Sequence, residues 1–350
     1  MLFMTLRKPL TYLVSSFLFF SIAVQAQNAD GPGDYMNSIN KARGDMDSKY
    51  MAYISAAAHG RRARKVEKLR QQLLDNLNEC RSNTSGIPKY KGDGSLKQGS
   101  LDYIMTCYRV FNEDYGKIVN MEELAEQSFD EMQAYILLHE KVDEKLAAAG
   151  NNLSKATEEF AAKYNVNLIE DKNPLNEKMA VAGKLNHYMN NLYLLYFKCD
   201  WQYDQAIKAL NNKKVNDVEQ ARSSVIRYAN EGLQLLDTIK PFENDPSLIN
   251  ACREALKYYK KAAEKDLSQL TDYLLKTEEF AKMKKSFEAK SDRTKDEVNA
   301  YNKSVKEINA AANTYNQTNT KNFNDRKQVQ KDWEDADKKF GDEHMPYYKK

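Results

Sequence analysis

The feature that most constrains this chain is a gapless internal repeat. Val218–Leu248 matches Val66–Leu96, which lies 152 residues earlier, at nine of 31 positions. The identical positions include Asp93/Asp245 and Leu96/Leu248. Self-similarity of this kind is typical of a structural unit that occurs twice in one chain. The sequence therefore predicts a tandem duplication.

The composition indicates that the repeated unit is helical. Only 13 glycines and seven prolines occur in 350 residues, and charged residues make up 29% of the chain. Apolar residues recur at spacings of three and four, as at Tyr35, Ile39, Ala42 and Met46, which favours amphipathic helices. We expect an all-α fold built from two tandem, duplicated bundles of long antiparallel helices. A single fused, elongated bundle is the alternative, because long helices can bridge the copies.

The breaks in the pattern divide the chain. The predicted segments are a signal peptide (1–26), a disordered lead (27–33), a first bundle (34–166), a linker (167–174) and a second bundle (175–346). Asn167 and Pro174 mark the linker, since proline disfavours continuation of a helix. Within the bundles the pattern predicts one helix over Tyr35–Ala57, a helix end at Gly150, and separate last arms at Ser291–Tyr315 and Asn322–Glu343.

The first residues are typical of an exported protein. Arg7 and Lys8 precede the apolar stretch Leu10–Val24, and Val24-Gln25-Ala26 offers small residues for cleavage before Gln27. No cysteine follows the cleavage site, so we expect no lipid anchor. The mature chain contains no apolar run near the ~20 residues that span a bilayer. We expect a protein of the periplasm, the cell surface or the medium.

The charge balance argues against a nucleic-acid partner. Removal of the signal peptide leaves 51 basic residues against 50 acidic ones, which is too even for a bulk polyanion binder. The strongest local feature is a basic run that begins at Arg61 and Arg62, with Lys213 and Lys214 at the start of the second copy. These four residues are weak candidates for contact with a polyanion or an anionic lipid. A solvated first helical turn explains them better.

Four cysteines fall in the exported part, where disulfides can persist. They allow three pairings. The favoured one joins Cys80 to Cys107, because these two flank a single helix–loop–helix turn. None of the four has the spacing of a metal site.

No catalytic constellation is visible, so we expect no enzyme, no cofactor and no metal. The nucleophile, phosphate-loop and dinucleotide motifs are absent. The nearest approach to a helical metal site is His139 with Asp143, which share a face at i, i+4. Two such residues do not make a site, and a histidine on an apolar stripe usually belongs to the core.

The leading interpretation is an exported, non-enzymatic protein that acts through helical interaction faces on an envelope or surface macromolecule. An alternative is a carrier of a small apolar or aromatic ligand, held between aromatic side chains such as Tyr193, Tyr196, Phe197 and Trp201. An envelope hydrolase is the third.

Three features occur together in this chain: the end of the signal peptide at Val24-Gln25-Ala26, the long Tyr- and Asn-rich helices, and the C-terminal residues Ala336, Phe340 and His344-Met345-Pro346. In this combination the chain resembles uncharacterised families of exported, all-helical surface proteins from Bacteroidota and related bacteria. The resemblance implies a periplasmic or surface location and assigns no activity.

Overall fold

The computed structural model describes residues 21–23, 31–58, 63–114, 125, 127–171 and 174–348. The predicted all-α class is confirmed, with long helices packed as a helical bundle. The helices are α1 (Pro32–Ala42), α2 (Met46–Ala58), α3 (Ala63–Gly86), α4 (Ser95–Arg109), α5 (Phe129–Lys163), α6 (Pro174–Asn211), α7 (Val215–Leu236), α8 (Ser247–Lys261), α9 (Ser268–Glu288) and α10 (Lys295–His344).

One short strand pair accompanies the helices. Strand β1 (Ser21–Ala23) pairs antiparallel with β2 (Ile169–Asp171), with Ile22 opposite Glu170. The sequence pattern predicted neither strand. β1 lies inside the expected signal peptide and β2 lies inside the expected linker, so cleavage before Gln27 would remove β1 from this pair.

Three helix limits differ from the predicted ones. The single helix expected over Tyr35–Ala57 is interrupted between α1 and α2, where Gly44 adopts a left-handed φ of 52°. Gly150 does not end a helix but is buried inside α5. A helical glycine costs about 1 kcal/mol relative to alanine, and the burial of Leu146 and Leu153 on either side offsets that cost.

The two last arms are one helix. α10 runs without a break through the polar residues between Tyr315 and Asn322 that predicted an interruption. Thr318 in this stretch donates a hydrogen bond from its hydroxyl to Gln269 Oε1 of α9 at 3.3 Å. Packing against α9 therefore supports helix where local composition alone does not.

The described chain forms two compact units. The first comprises the described residues up to Asn190 together with those from Lys339 onward, and the second comprises Asn191–Lys338. The boundaries between them fall inside α6 and inside α10. The expected linker, 167–174, lies within the first unit.

The first unit has an aromatic cluster where α1, α4 and the end of α5 meet. The Tyr35 and Phe160 rings lie 5.4 Å apart, and Tyr90 packs edge-on against Phe160 at 5.7 Å. Leu96, the first apolar residue of α4, is buried in the same cluster. This cluster fixes the turn before α4 against the end of α5.

The second unit has an aromatic core crossed by a buried polar network. Tyr196 stacks on Trp333, with ring centroids 4.7 Å apart and planes 14° from parallel. Asp200 is buried beside them, and its Oδ1 accepts hydrogen bonds from Tyr259, Arg326 and Gln330. These bonds join α6, α8 and α10, because each contributes a side chain to the same carboxylate.

The two similar stretches have the same local structure. In each, an aspartate follows a tight turn and accepts a hydrogen bond from the backbone N–H of the first helical serine, at 2.8 Å for Asp93 with Ser95 and at 2.8 Å for Asp245 with Ser247. The correspondence continues past the matched residues. α4 passes into a π-helical segment at Val110, and α8 does so at Ala262, again 152 residues later.

Candidate functional site

The basic candidates are divided between described and undescribed parts of the chain. Arg61 and Arg62 lie outside the described residues. Lys213 occupies an exposed turn with a φ of 57°, and Lys214 caps the start of α7, where its Nζ lies 3.6 Å from Asp217. Lys214 lines an open, polar groove of about 540 Å³ between α6 and α7. The ion pair and the exposure fit a solvated helix start.

The four cysteines are free thiols, so the predicted bond between Cys80 and Cys107 is not formed in the structure. Cys80 Sγ instead donates to the backbone oxygen of Arg43 at 2.8 Å. Burial raises the pKa of Cys80 to about 11 and that of Cys107 to about 12. Both thiols therefore stay protonated and unreactive at neutral pH.

The aromatic residues suggested for a carrier cavity are used in packing. Tyr196 stacks on Trp333, and Tyr193 stacks on Phe197 with centroids 5.7 Å apart. Tyr196 and Phe197 are buried. Tyr193 and Trp201 are half-buried.

His139 and Asp143, which the sequence places on one helical face without making a site, line a cleft of about 310 Å³ in the first unit. α5 supplies His139, Glu140 and Asp143 to one wall, because residues three and four apart share a helical face. α6 supplies the facing wall with Asn186 and His187. The sequence pattern identified the α5 pair but missed the α6 residues, since only tertiary packing brings the two helices together.

Burial and charge perturb the titration of this cleft. His139 is buried, and desolvation lowers its pKa to about 4, so the ring is neutral. Burial, and then the negative charge of Glu140, raise the pKa of Asp143 well above its usual range. His187 Nδ1 lies 3.3 Å from Glu140 Oε1, nearer the cleft mouth.

The cleft therefore combines hydrogen-bond acceptors with a carboxyl group, that of Asp143, whose pKa is raised. Among the residues that the structure describes, no group of three or more His, Cys, Asp or Glu side chains has metal-binding geometry. Paired groups whose pKa values are pushed in opposite directions are typical of functional sites.

A second candidate is an exposed helical hairpin in the second unit, formed by α9 and the part of α10 up to Asn322. All residues from 275 to 321 are described, and none of them is buried. The hairpin is held by its own seam: Phe287 stacks on Tyr301 at 4.2 Å, and Tyr273 lies against Tyr315 at 4.6 Å. Thr294 starts α10 by accepting a hydrogen bond from the Glu297 N–H at 3.2 Å.

One flank of α10, beside its seam with α9, carries a second set of regularly spaced residues. Uncharged residues follow one another along α10 at alternating spacings of four and three, the repeat of a coiled coil. We call this set the uncharged stripe: Val298, Asn302, Val305, Asn309, Ala312, Asn316, Asn319 and Phe323. Phe323 is 62% exposed and Val298 is 36% exposed, whereas Val305 and Ala312 are half-buried. Six of the eight residues of the stripe are therefore exposed to solvent.

Comparison with known proteins adds no relative. No protein-family model, curated protein or solved structure matches this chain. Within the described residues, no helix has the length and apolar character that crossing a membrane requires.

Proposed function

We propose that the protein is exported and acts without catalysis, by presenting the uncharged stripe of the hairpin to a helix of a partner protein in the cell envelope or at the cell surface. The observation that carries the proposal is the hairpin itself. One flank of α10 keeps coiled-coil spacing, and six of its eight residues are exposed, although the adjacent seam is already occupied by α9. Two seams on one helix are typical of a helix that packs against two neighbours.

The chemistry of the stripe favours a helical partner. Valine and alanine alternate with asparagine at Asn302, Asn309 and Asn316, and no charge interrupts the series. Asparagine at such positions fixes register and partner number in coiled coils at some cost in stability. The exposed Phe323 at one end supplies an anchor, because burying a phenylalanine contributes about 1.5–3 kcal/mol.

The test is retention of a partner by the mature protein, residues 27–350, from envelope extract. Ala312→Glu places a charge in the stripe and should reduce retention at least tenfold, because an interface that must bury an unpaired charge loses more than about 1.4 kcal/mol. Ala310→Glu is the matched control. It makes the same change two residues away, about 200° around the helix, at an exposed position outside the stripe.

Equal retention by both variants would refute the assignment to the stripe. The comparison requires circular dichroism to show equal helix content in both variants, because Ala312 is half-buried beside the seam with α9 whereas Ala310 is exposed.

Export is proposed separately and has its own test. Mass spectrometry of the protein from a periplasmic or extracellular fraction should find Gln27 at the N-terminus. An intact Met1 in cytoplasmic protein would overturn the location without bearing on the stripe.

We also propose that the two halves arose by tandem duplication. The supporting features are the matched turns at Asp93 and Asp245 and the two π-helical segments at constant spacing. The ion pairs Glu67–Arg70 and Glu219–Arg222 add a third correspondence, at 2.6 and 2.7 Å. An experimental structure in which the two stretches fail to superpose, turn on turn, would refute it.

A further inference from the structure

We propose that the cleft between α5 and α6 in the first unit binds a small organic cation that carries an ammonium group. This site is independent of the hairpin. Its volume of about 310 Å³ lies at the lower end of the range for small-molecule sites, which fits a ligand of few atoms.

The charges around the cleft select a cation. Among the described residues, its walls carry the carboxyl groups of Glu140, Asp143 and Glu144 and include no lysine or arginine. His139 adds no positive charge, because it is held neutral by burial. The His187 ring faces Glu140, with its Nδ1 3.3 Å from Glu140 Oε1.

The second observation is an unsatisfied acceptor at the cleft wall. Asp143 is half-buried as a residue, but its Oδ1 is completely buried and has no hydrogen-bond partner among the described residues. A buried polar atom without a partner is destabilising, more so if it is charged. An ammonium group in the cleft would remove that penalty once the Asp143 side chain turns its Oδ1 towards the ligand, because the N–H could then donate to this oxygen.

Binding should be coupled to proton release. Without a ligand the Asp143 carboxyl keeps its proton to a higher pH than an ordinary aspartate does, because burial and then the charge of Glu140 raise its pKa. A positive charge within about 4–6 Å favours the carboxylate. The proton of Asp143 therefore passes to the buffer when an ammonium ion binds, and no bond in the ligand changes.

The experiment is titration calorimetry of mature protein, residues 27–350, with putrescine (1,4-diaminobutane) and with 1,4-butanediol, its neutral counterpart of equal length. We expect a saturable heat with the diamine alone. The heat should differ between phosphate and Tris buffers at pH 7, because their ionisation enthalpies differ and a proton is released.

Two variants test the site, so that a test remains if one of them fails to fold. Asp143→Asn should weaken putrescine binding at least tenfold and abolish the buffer dependence. Ala147→Leu fills the cleft without changing charge and should weaken binding to a similar degree. Glu158→Gln is the control, since it removes one exposed carboxylate from α5 outside the cleft and should bind as the parent chain does.

Unchanged binding in both cleft variants, or equal binding of the diol, would overturn the proposal. So would a saturable isotherm with ZnCl₂ alone that His187→Gln abolishes, because the site would then be a metal site.

Discussion

Asp200 supports the sharpest stability prediction, because four donor atoms from three side chains form hydrogen bonds with one buried oxygen. Its Oδ1 accepts hydrogen bonds from the Tyr259 hydroxyl at 2.5 Å, from Arg326 Nε and Nη2 at 3.2 and 3.0 Å, and from Gln330 at 2.9 Å. The Asp200 side chain is 7% exposed and that of Arg326 is 17% exposed. Asp200→Asn keeps the shape of this network but removes the charge that neutralises Arg326.

Asp200→Asn is expected to lower the free energy of unfolding by about 3 kcal/mol. Removing one partner of a buried ion pair costs about 3–5 kcal/mol, and the lower figure applies because Arg326 keeps Asp204 at 3.1 Å. Urea unfolding followed by tryptophan fluorescence measures it. The chain has two tryptophans, Trp201 and Trp333, and both belong to the second unit, so their emission reports on that unit.

Two further variants show whether the reasoning is right. Asp204→Asn removes the more exposed partner of Arg326 and should cost about 1 kcal/mol or less. Asp200→Asn combined with Arg326→Met should cost less than the sum of the two single changes, because it leaves no charge buried alone. A loss below about 1 kcal/mol for Asp200→Asn would refute the assignment of stability to this network.

Three other predictions concern the first unit, and urea unfolding followed by circular dichroism measures each. Gly99→Ala should destabilise by about 1–3 kcal/mol through overpacking, because the added Cβ would lie 2.9 Å from Ala156 Cβ. His139 binds no proton in the folded state until about pH 4, whereas the unfolded side chain titrates near 6.5, so stability should fall by up to about 3 kcal/mol between those values and His139→Gln should remove that part of the fall. The Lys163 ammonium beside Asp93 holds the pKa of that carboxyl below its usual range. The stabilisation that the Asp93–Lys163 ion pair contributes should therefore be present above about pH 4 and disappear as the pH falls through the lowered pKa. Asp93→Asn should lack this acid-dependent part of the stability.

Each of these three has a matched control. Gly86→Ala meets no atom within 4 Å and should be neutral or stabilising, so a similar loss at Gly86 and Gly99 would argue against overpacking. A parent-like pH dependence in His139→Gln would show that another group causes the loss near pH 5. If Asp93→Asn loses stability in acid as the parent chain does, a group other than the Asp93–Lys163 pair causes that loss.

Helix content was predictable from the sequence because apolar periodicity is a local property. Helix ends were less predictable, since tertiary packing decides them. Gly150 lies in a continuous helix because its neighbours are buried, and α10 continues through Thr318 because α9 packs beside it. Gly44 shows the converse, since one left-handed residue interrupts an otherwise continuous apolar stripe.

The candidate sites were predictable only in part, for the same reason. The spacing of His139 and Asp143 placed both on one helical face, and the structure keeps them together in the cleft. His187 and Asn186 come from a helix that begins more than 30 residues after Asp143, and no local pattern links them. The four-and-three spacing of the uncharged stripe is visible in the sequence. It was not recognised, because the expected helix break after Tyr315 divided the stripe between two arms.

The point where the two proposed copies differ gives the hairpin its importance. Both halves keep the turn, the serine helix start and the π-helical segment at one spacing, and they differ in the helices after that segment. In the first half α5 buries residues along most of its length, from Met132 to Ala161. In the second half α9 and α10 extend without a buried residue between Leu275 and Lys321. Ordering a residue costs about 1–2 kcal/mol of backbone entropy. Burial of side chains in this stretch offsets little of that cost. A segment that contributes so little to its own fold is better explained by binding to a partner, which is the reason to test the stripe before any other surface.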